Sequence, residues 1–129
     1  MAFKIAKFDS SVFTHTLITD TVLSGSGGGT ATIDIDMTQG DAGSVLFIDL
    51  DNQWSGGRVY FKMTFTNTAP VVGTSVPDLI IPVNASTGTR WLIPEGIPFT
   101  NLSMWAVTSG LDNATTAPSG NFLATITTT

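Results

Sequence analysis

Aspartates are the residues best placed to do chemistry in this chain. Asp34 and Asp36 stand two apart, as do Asp49 and Asp51, and that spacing sets both carboxylates of a pair on one side of a strand. Two such pairs at neighbouring strand ends, with Asp41 between them in sequence, would offer oxygens to calcium. The spacing departs from a calcium-binding loop, because the sixth position from Asp34 is not glycine and no glutamate follows. The same carboxylates could form the acid–base pair of a glycosidase, which needs one raised pKa in an apolar cleft. Nothing in the sequence sets one of them apart. Solvated carboxylates that discourage edge pairing are the ordinary reading, and it outweighs both.

Other chemistry finds less support. There is no cysteine, and His15 is the one imidazole. Thiolate chemistry and cysteine-ligated metals are excluded, and no serine sits in a nucleophile elbow. His15 lies in an alternating stretch and reads as an ordinary strand residue. Gly25 to Gly29 lacks both the dinucleotide and the Lys-containing phosphate-loop patterns, so it reads as a connector. Trp91 and Trp105 fall inside apolar stretches and read as core. Trp54 lies in a polar, glycine-containing loop, where it would be an interface anchor or a lid over the end of the core. Asn84, Asn101 and Asn113 open Asn-x-Ser/Thr matches. In a chain where Ser and Thr make up about a quarter of the residues, such matches carry little weight.

The elements that must position these residues follow from composition. The chain has 129 residues, 12% of them charged, 42% hydrophobic, and a net charge of -5. That length suits one domain, residues 1–129, burying roughly two-thirds of its unfolded surface. The acidic balance argues against a nucleic-acid partner, and no apolar run is long enough to span a bilayer. Nine Val, ten Ile and twenty-one Thr favour a pleated backbone over a helix.

Alternation locates the strands. In Thr30 to Met37 the apolar Ile33, Ile35 and Met37 share a face. In Val45 to Asp51, Leu46, Ile48 and Leu50 oppose Phe47, Asp49 and Asp51. In Arg58 to Thr66, Val59, Phe61, Met63 and Phe65 face inward. Further strands are expected at Ser11 to Val22, Asp78 to Val83, Thr89 to Ile93, Asn101 to Thr108 and Asn121 to Thr127. Ser86-Thr87-Gly88 is expected to be a tight hairpin turn, and Pro94 and Pro98 would interrupt a central ladder. The pattern predicts an all-β protein: a single antiparallel β-sandwich, jelly-roll-like, of about eight strands. Its core should include Ile33, Ile35, Val59, Phe61, Met63, Ile81, Leu92, Leu102 and Trp105.

A further pattern runs from Asp49 onward. It comprises Ile48-Asp49-Leu50-Asp51-Asn52, Val59-Tyr60-Phe61-Lys62-Met63, Ala69-Pro70-Val71-Val72-Gly73-Thr74 and Pro77-Asp78-Leu79-Ile80-Ile81-Pro82-Val83. Pro94-Glu95-Gly96-Ile97-Pro98-Phe99, Ala106-Val107-Thr108 and Thr115-Thr116-Ala117-Pro118 complete it. Over about the C-terminal two-thirds, the chain resembles a group of small tailed-phage virion structural proteins. It departs from them at Asn101, where the family often has Gly, and at Met63-Thr64-Phe65-Thr66.

The resemblance implies a virion subunit that acts by symmetric packing, with no catalytic residues, cofactor or metal. A capsid decoration or cement protein is expected first, with the major capsid protein and copies of itself as partners, as a trimer or other symmetric cluster. The alternative is a tail- or fibre-associated component, or a carbohydrate-binding module that meets a host glycan through Trp54. No enzymatic activity, nucleic acid or membrane is expected, and the location would be the virion. Phe3, Ile5 and Phe8 lie outside the resembled pattern. They would form an N-terminal arm that docks on a neighbour, or an edge strand of the chain's own sandwich.

Overall fold

The computed structural model describes residues 14–19, 31, 33–35, 42–53, 55–120 and 122–128, with backbone alone for 14–19 and 34–35. It is all-β, with no helix among the described residues. The strands are β1 (Thr14–Thr19), β2 (Asp34–Ile35), β3 (Gly43–Asn52), β4 (Val59–Thr64), β5 (Leu79–Val83), β6 (Thr87–Phe99), β7 (Ser103–Val107) and β8 (Leu123–Thr128). They form two antiparallel sheets, ordered β1-β8-β3-β6 and β2-β7-β4-β5. Three strands in each sheet, six in all, carry described side chains. β1 and β2 are placed at the edges by backbone pairing.

The pairing is nested. β1 pairs with β8, β2 with β7, β3 with β6 and β4 with β5. The chain therefore runs out and back as one long antiparallel ribbon whose tip is β4–β5. The ribbon is rolled so that β3 also meets β8 and β4 also meets β7. Rolling brings apolar positions of both sheets into one cluster: Ile48, Leu50, Ala124 and Ile126 from the first, Phe61, Met63, Ile81 and Met104 from the second. Phe61 stacks on Phe122 with ring centroids 5.9 Å apart, an arrangement that adds to plain area burial.

Asn52 fastens the corners. Its side-chain amide shares two N–H donors among the carbonyls of Gly57 (3.0 Å), Val83 (3.0 Å) and Asn84 (3.2 Å). The Asn52 backbone carbonyl accepts from the Ser86 amide at 2.9 Å. One buried side chain thus ties the β3–β4 crossover to the β5–β6 crossover. On the far side of the molecule, Asp78 accepts from the Phe65 amide at 2.8 Å, and the Phe65 carbonyl accepts from the amides of Thr100 and Asn101.

Several expectations need correction. Ser86-Thr87-Gly88 is not a hairpin turn, because β5 and β6 belong to different sheets; Ser86, at φ 59°, ends the crossover between them. Leu92 is 72% exposed and Trp91 41%, not core, because among the described residues β6 is an edge strand that pairs with β3 alone. The same edge position lets β6 run on through Pro94 and Pro98, since a missing N–H costs no ladder bond on a free side.

A bulge also shifts the inward face of β3. Val45 pairs with Ile97 but Phe47 with Leu92, so Leu46 opposes the four residues 93–96. Val45, Ile48 and Leu50 are therefore fully buried, and Leu46 is only partly so. Gly96 accommodates the bulge at φ 73°, with Ser44 and Leu46 so close that a Cβ would collide. Val59, Phe61, Met63, Ile81, Leu102 and Trp105 are buried as expected, and Ile33 packs against the core. The side chain of Ile35 lies outside the described residues.

Candidate functional site

The alternation of β3 turns Phe47, Asp49 and Asp51 to the outer face of the first sheet, opposite the fully buried Ile48 and Leu50. Register then chooses their neighbours. Asp49 lies between Arg90 on β6 and Thr125 on β8, and Asp51 lies between Gly88 and Leu123. These residues, with Leu50, Gln53 and Thr89, line an open groove of about 590 Å³. That volume falls in the ~300–1,000 Å³ range of small-molecule sites.

The electrostatics of the groove are mixed. The Arg90 Nε lies 3.5 Å from Asp49 Oδ2, with the Arg90 side chain 75% exposed. This is longer than a charge-assisted hydrogen bond, so the guanidinium keeps donors in reserve. Asp51 Oδ1 is buried and has no hydrogen-bond partner. Gly88 leaves the space beside Asp51 without a side chain, and a Cβ there would stand 3.0 Å from the Leu50 carbonyl oxygen.

The structure separates residues that the sequence groups together. By backbone, Asp34 is on β2 and Asp49 and Asp51 are on β3, in different sheets, so β2 and β3 are not hydrogen-bonded neighbours. Among the described residues, no three acidic, histidine or cysteine side chains gather as a metal site would need. His15, on β1, is paired by backbone with Thr127 on β8. Phe3, Ile5, Phe8, Trp54, Asp36, Asp41 and Gly25 to Gly29 lie outside the described residues.

Sequence reasoning missed the groove's Arg90, Gln53, Thr89 and Thr125, because cross-strand register is not written in local pattern. It also missed Lys62. This lysine alternates away from Phe61 and Met63, toward what should be solvent, yet it is fully buried. The 108–116 segment folds over that face: Lys62 Nζ donates to the Leu111 carbonyl at 2.6 Å, and a Cβ on Gly110 would touch the Tyr60 ring at 3.0 Å. Burial lowers the Lys62 pKa from its ordinary 10.5, and the charge of Asp112 partly opposes that. The same segment meets the β4–β5 connection at Gly73, which sits at φ 84° directly against Thr115.

Comparison with known proteins adds little. No protein-family model matches the chain, and no curated protein matches it. It is similar to a solved chain described by the words "Bacillus endospore appendages form a novel family of disulfide-linked pili", with 16% identity over 100% of this chain and 98% of that one, at TM-score 0.41. A likeness of that size carries nothing over to this chain, which has no cysteine with which to form a disulfide.

Proposed function

We propose that the chain is a structural subunit of a tailed-bacteriophage virion, in the form of a single jelly-roll-like sandwich, and that it decorates the capsid shell. The observation that carries this reading is where the phage-like pattern falls. Asn52 ties two crossovers, Gly73 holds a left-handed turn against Thr115, and Gly96 absorbs the β3–β6 bulge. The pattern thus selects corners and packing, and its residues perform no chemistry. Nested pairing over two sheets supports the jelly-roll reading, an architecture used by viral capsid domains. A protein of this kind works through its surface, by packing against the major capsid protein and its own copies in a symmetric cluster.

In this reading the chain has no catalytic activity and meets neither nucleic acid nor membrane. Phe3, Ile5 and Phe8 form the docking arm, and Trp54 is a further contact. Quantitative mass spectrometry of virions that carry the protein tests the assignment. Hundreds of copies per particle are expected, and about a dozen or fewer would move it to the tail or neck. Deleting residues 1–8 should abolish incorporation while the isolated domain still folds. Normal assembly of the truncated protein would remove the arm from the proposal.

A further inference from the structure

The groove on the outer face of the first sheet is not called on by the proposed function, and its lining is chemically mixed. We infer that it is a binding site for a neutral saccharide. Asp49 and Asp51 present acceptors, Arg90 presents donors, and Gln53 and Thr125 present groups that can do either. A ligand matched to such a lining carries a donor and an acceptor on almost every carbon and no net charge, as a pyranose does.

Other ligand classes fit less well. A phosphate-bearing ligand would meet two carboxylates against one guanidinium. A lipid would find few apolar walls, since Leu123 is the one large apolar side chain turned to the groove and Leu50 points into the core. A divalent cation would find two carboxylates but no third acidic or histidine ligand among the described residues.

Asp51 gives the site its driving force. Its Oδ1 is withdrawn from water and accepts from no protein group, a state in which an oxygen has lost hydration without replacement. A turn of the carboxylate toward the groove would let a sugar hydroxyl restore a partner to it. The side-chain-free Gly88 opposite leaves room for the ring. The Asp49–Arg90 pair, stretched to 3.5 Å, can rotate to receive further hydroxyls at little cost, as exposed pairs of this kind contribute little to stability.

Amide chemical-shift mapping on the intact chain tests this inference, with maltose, cellobiose, lactose and chitobiose as separate probes and calcium chloride as a control. At least one saccharide should shift amides confined to residues 49–53, 88–90 and 123–125. Arg90→Ala, which changes an exposed side chain, should weaken that binding severalfold with the fold intact, and Asp51→Asn should weaken it about tenfold or more. The inference is overturned if no saccharide perturbs these amides, if the shifts persist unchanged in both variants, or if calcium alone reproduces them. It does not depend on a capsid location: saccharide binding by a protein absent from virions would leave it standing and remove the functional proposal.

Discussion

In the sheet β1-β8-β3-β6, burial alternates along β8 as partly buried and buried residues in turn, and β6 is exposed along most of its thirteen residues. In the sheet β2-β7-β4-β5, every residue of β7 is buried, as is every residue of β4 except the half-buried Tyr60. Both sheets turn one face to the shared core, so their outer faces make the difference. The first sheet's outer face holds the groove. The second is roofed over β4 and β7 by the segment after β7, which converts that part of the surface into a second interior. Period-two alternation specifies which residues lie on opposite faces, but it does not specify which faces are wet.

The largest test of this contrast is Trp105→Ala. Trp105 stands beside Lys62 in register, on the side of the sheet opposite Phe61. Under a roof, its truncation should cost ~3–5 kcal/mol, as much as Phe61→Ala in the central core. Chemical denaturation of the two variants decides the matter, and a Trp105→Ala cost below ~1 kcal/mol would show an open face.

Asn52→Ala should cost ~2–3 kcal/mol, because three carbonyls lose a shared donor at a buried corner. Asn52→Asp should not recover the loss, since a carboxylate has no N–H to give. A denaturation midpoint close to that of the parent would remove Asn52 from the corner's energetics.

Lys62 gives a test in pH. Its folded pKa lies below its unfolded value of 10.5, so between the two the unfolded chain binds more protons and stability rises with pH. Below the folded pKa the cost of the buried charge is complete, and above 10.5 it is gone. Unfolding measured across this alkaline window should show the rise in the parent chain and lose it in Lys62→Met. An unchanged slope in the variant would assign the effect to other groups. The smallest effect belongs to Leu92→Ser on the exposed edge, which should change stability by no more than ~0.5 kcal/mol. A loss above ~2 kcal/mol would show that β6 is covered in the folded protein.

Much of the inner lining was legible from alternation. Val59, Phe61 and Met63 fall on the core side because each is followed by a residue of different polarity. Trp91 and Leu92 were misplaced for a physical reason: their apolar stretch looks like a central strand, and whether a strand has one neighbour or two depends on pairings far away in sequence. Ser86 was misread for a similar reason, since a short turn looks the same whether the chain doubles back or crosses to another sheet. For the groove, Asp49 and Asp51 were visible as a pair. Their partner Arg90 was not, because it joins them through a register that the bulge at Leu46 resets.

The nested ribbon also has a consequence for the order in which the chain can be put together. β4 and β5 close the shortest loop, and each pair outside them closes a longer one, at an entropic cost that earlier pairs have already reduced. β8 belongs to the outermost pair and yet lies between β1 and β3. During synthesis β1 is made well before Leu123–Thr128, its hydrogen-bonding neighbour among the described residues. Until β8 is made, the first sheet lacks its middle and β1 lacks that neighbour. The emergence of Leu123–Thr128, and not of any earlier strand, sets the moment at which that exposure ends.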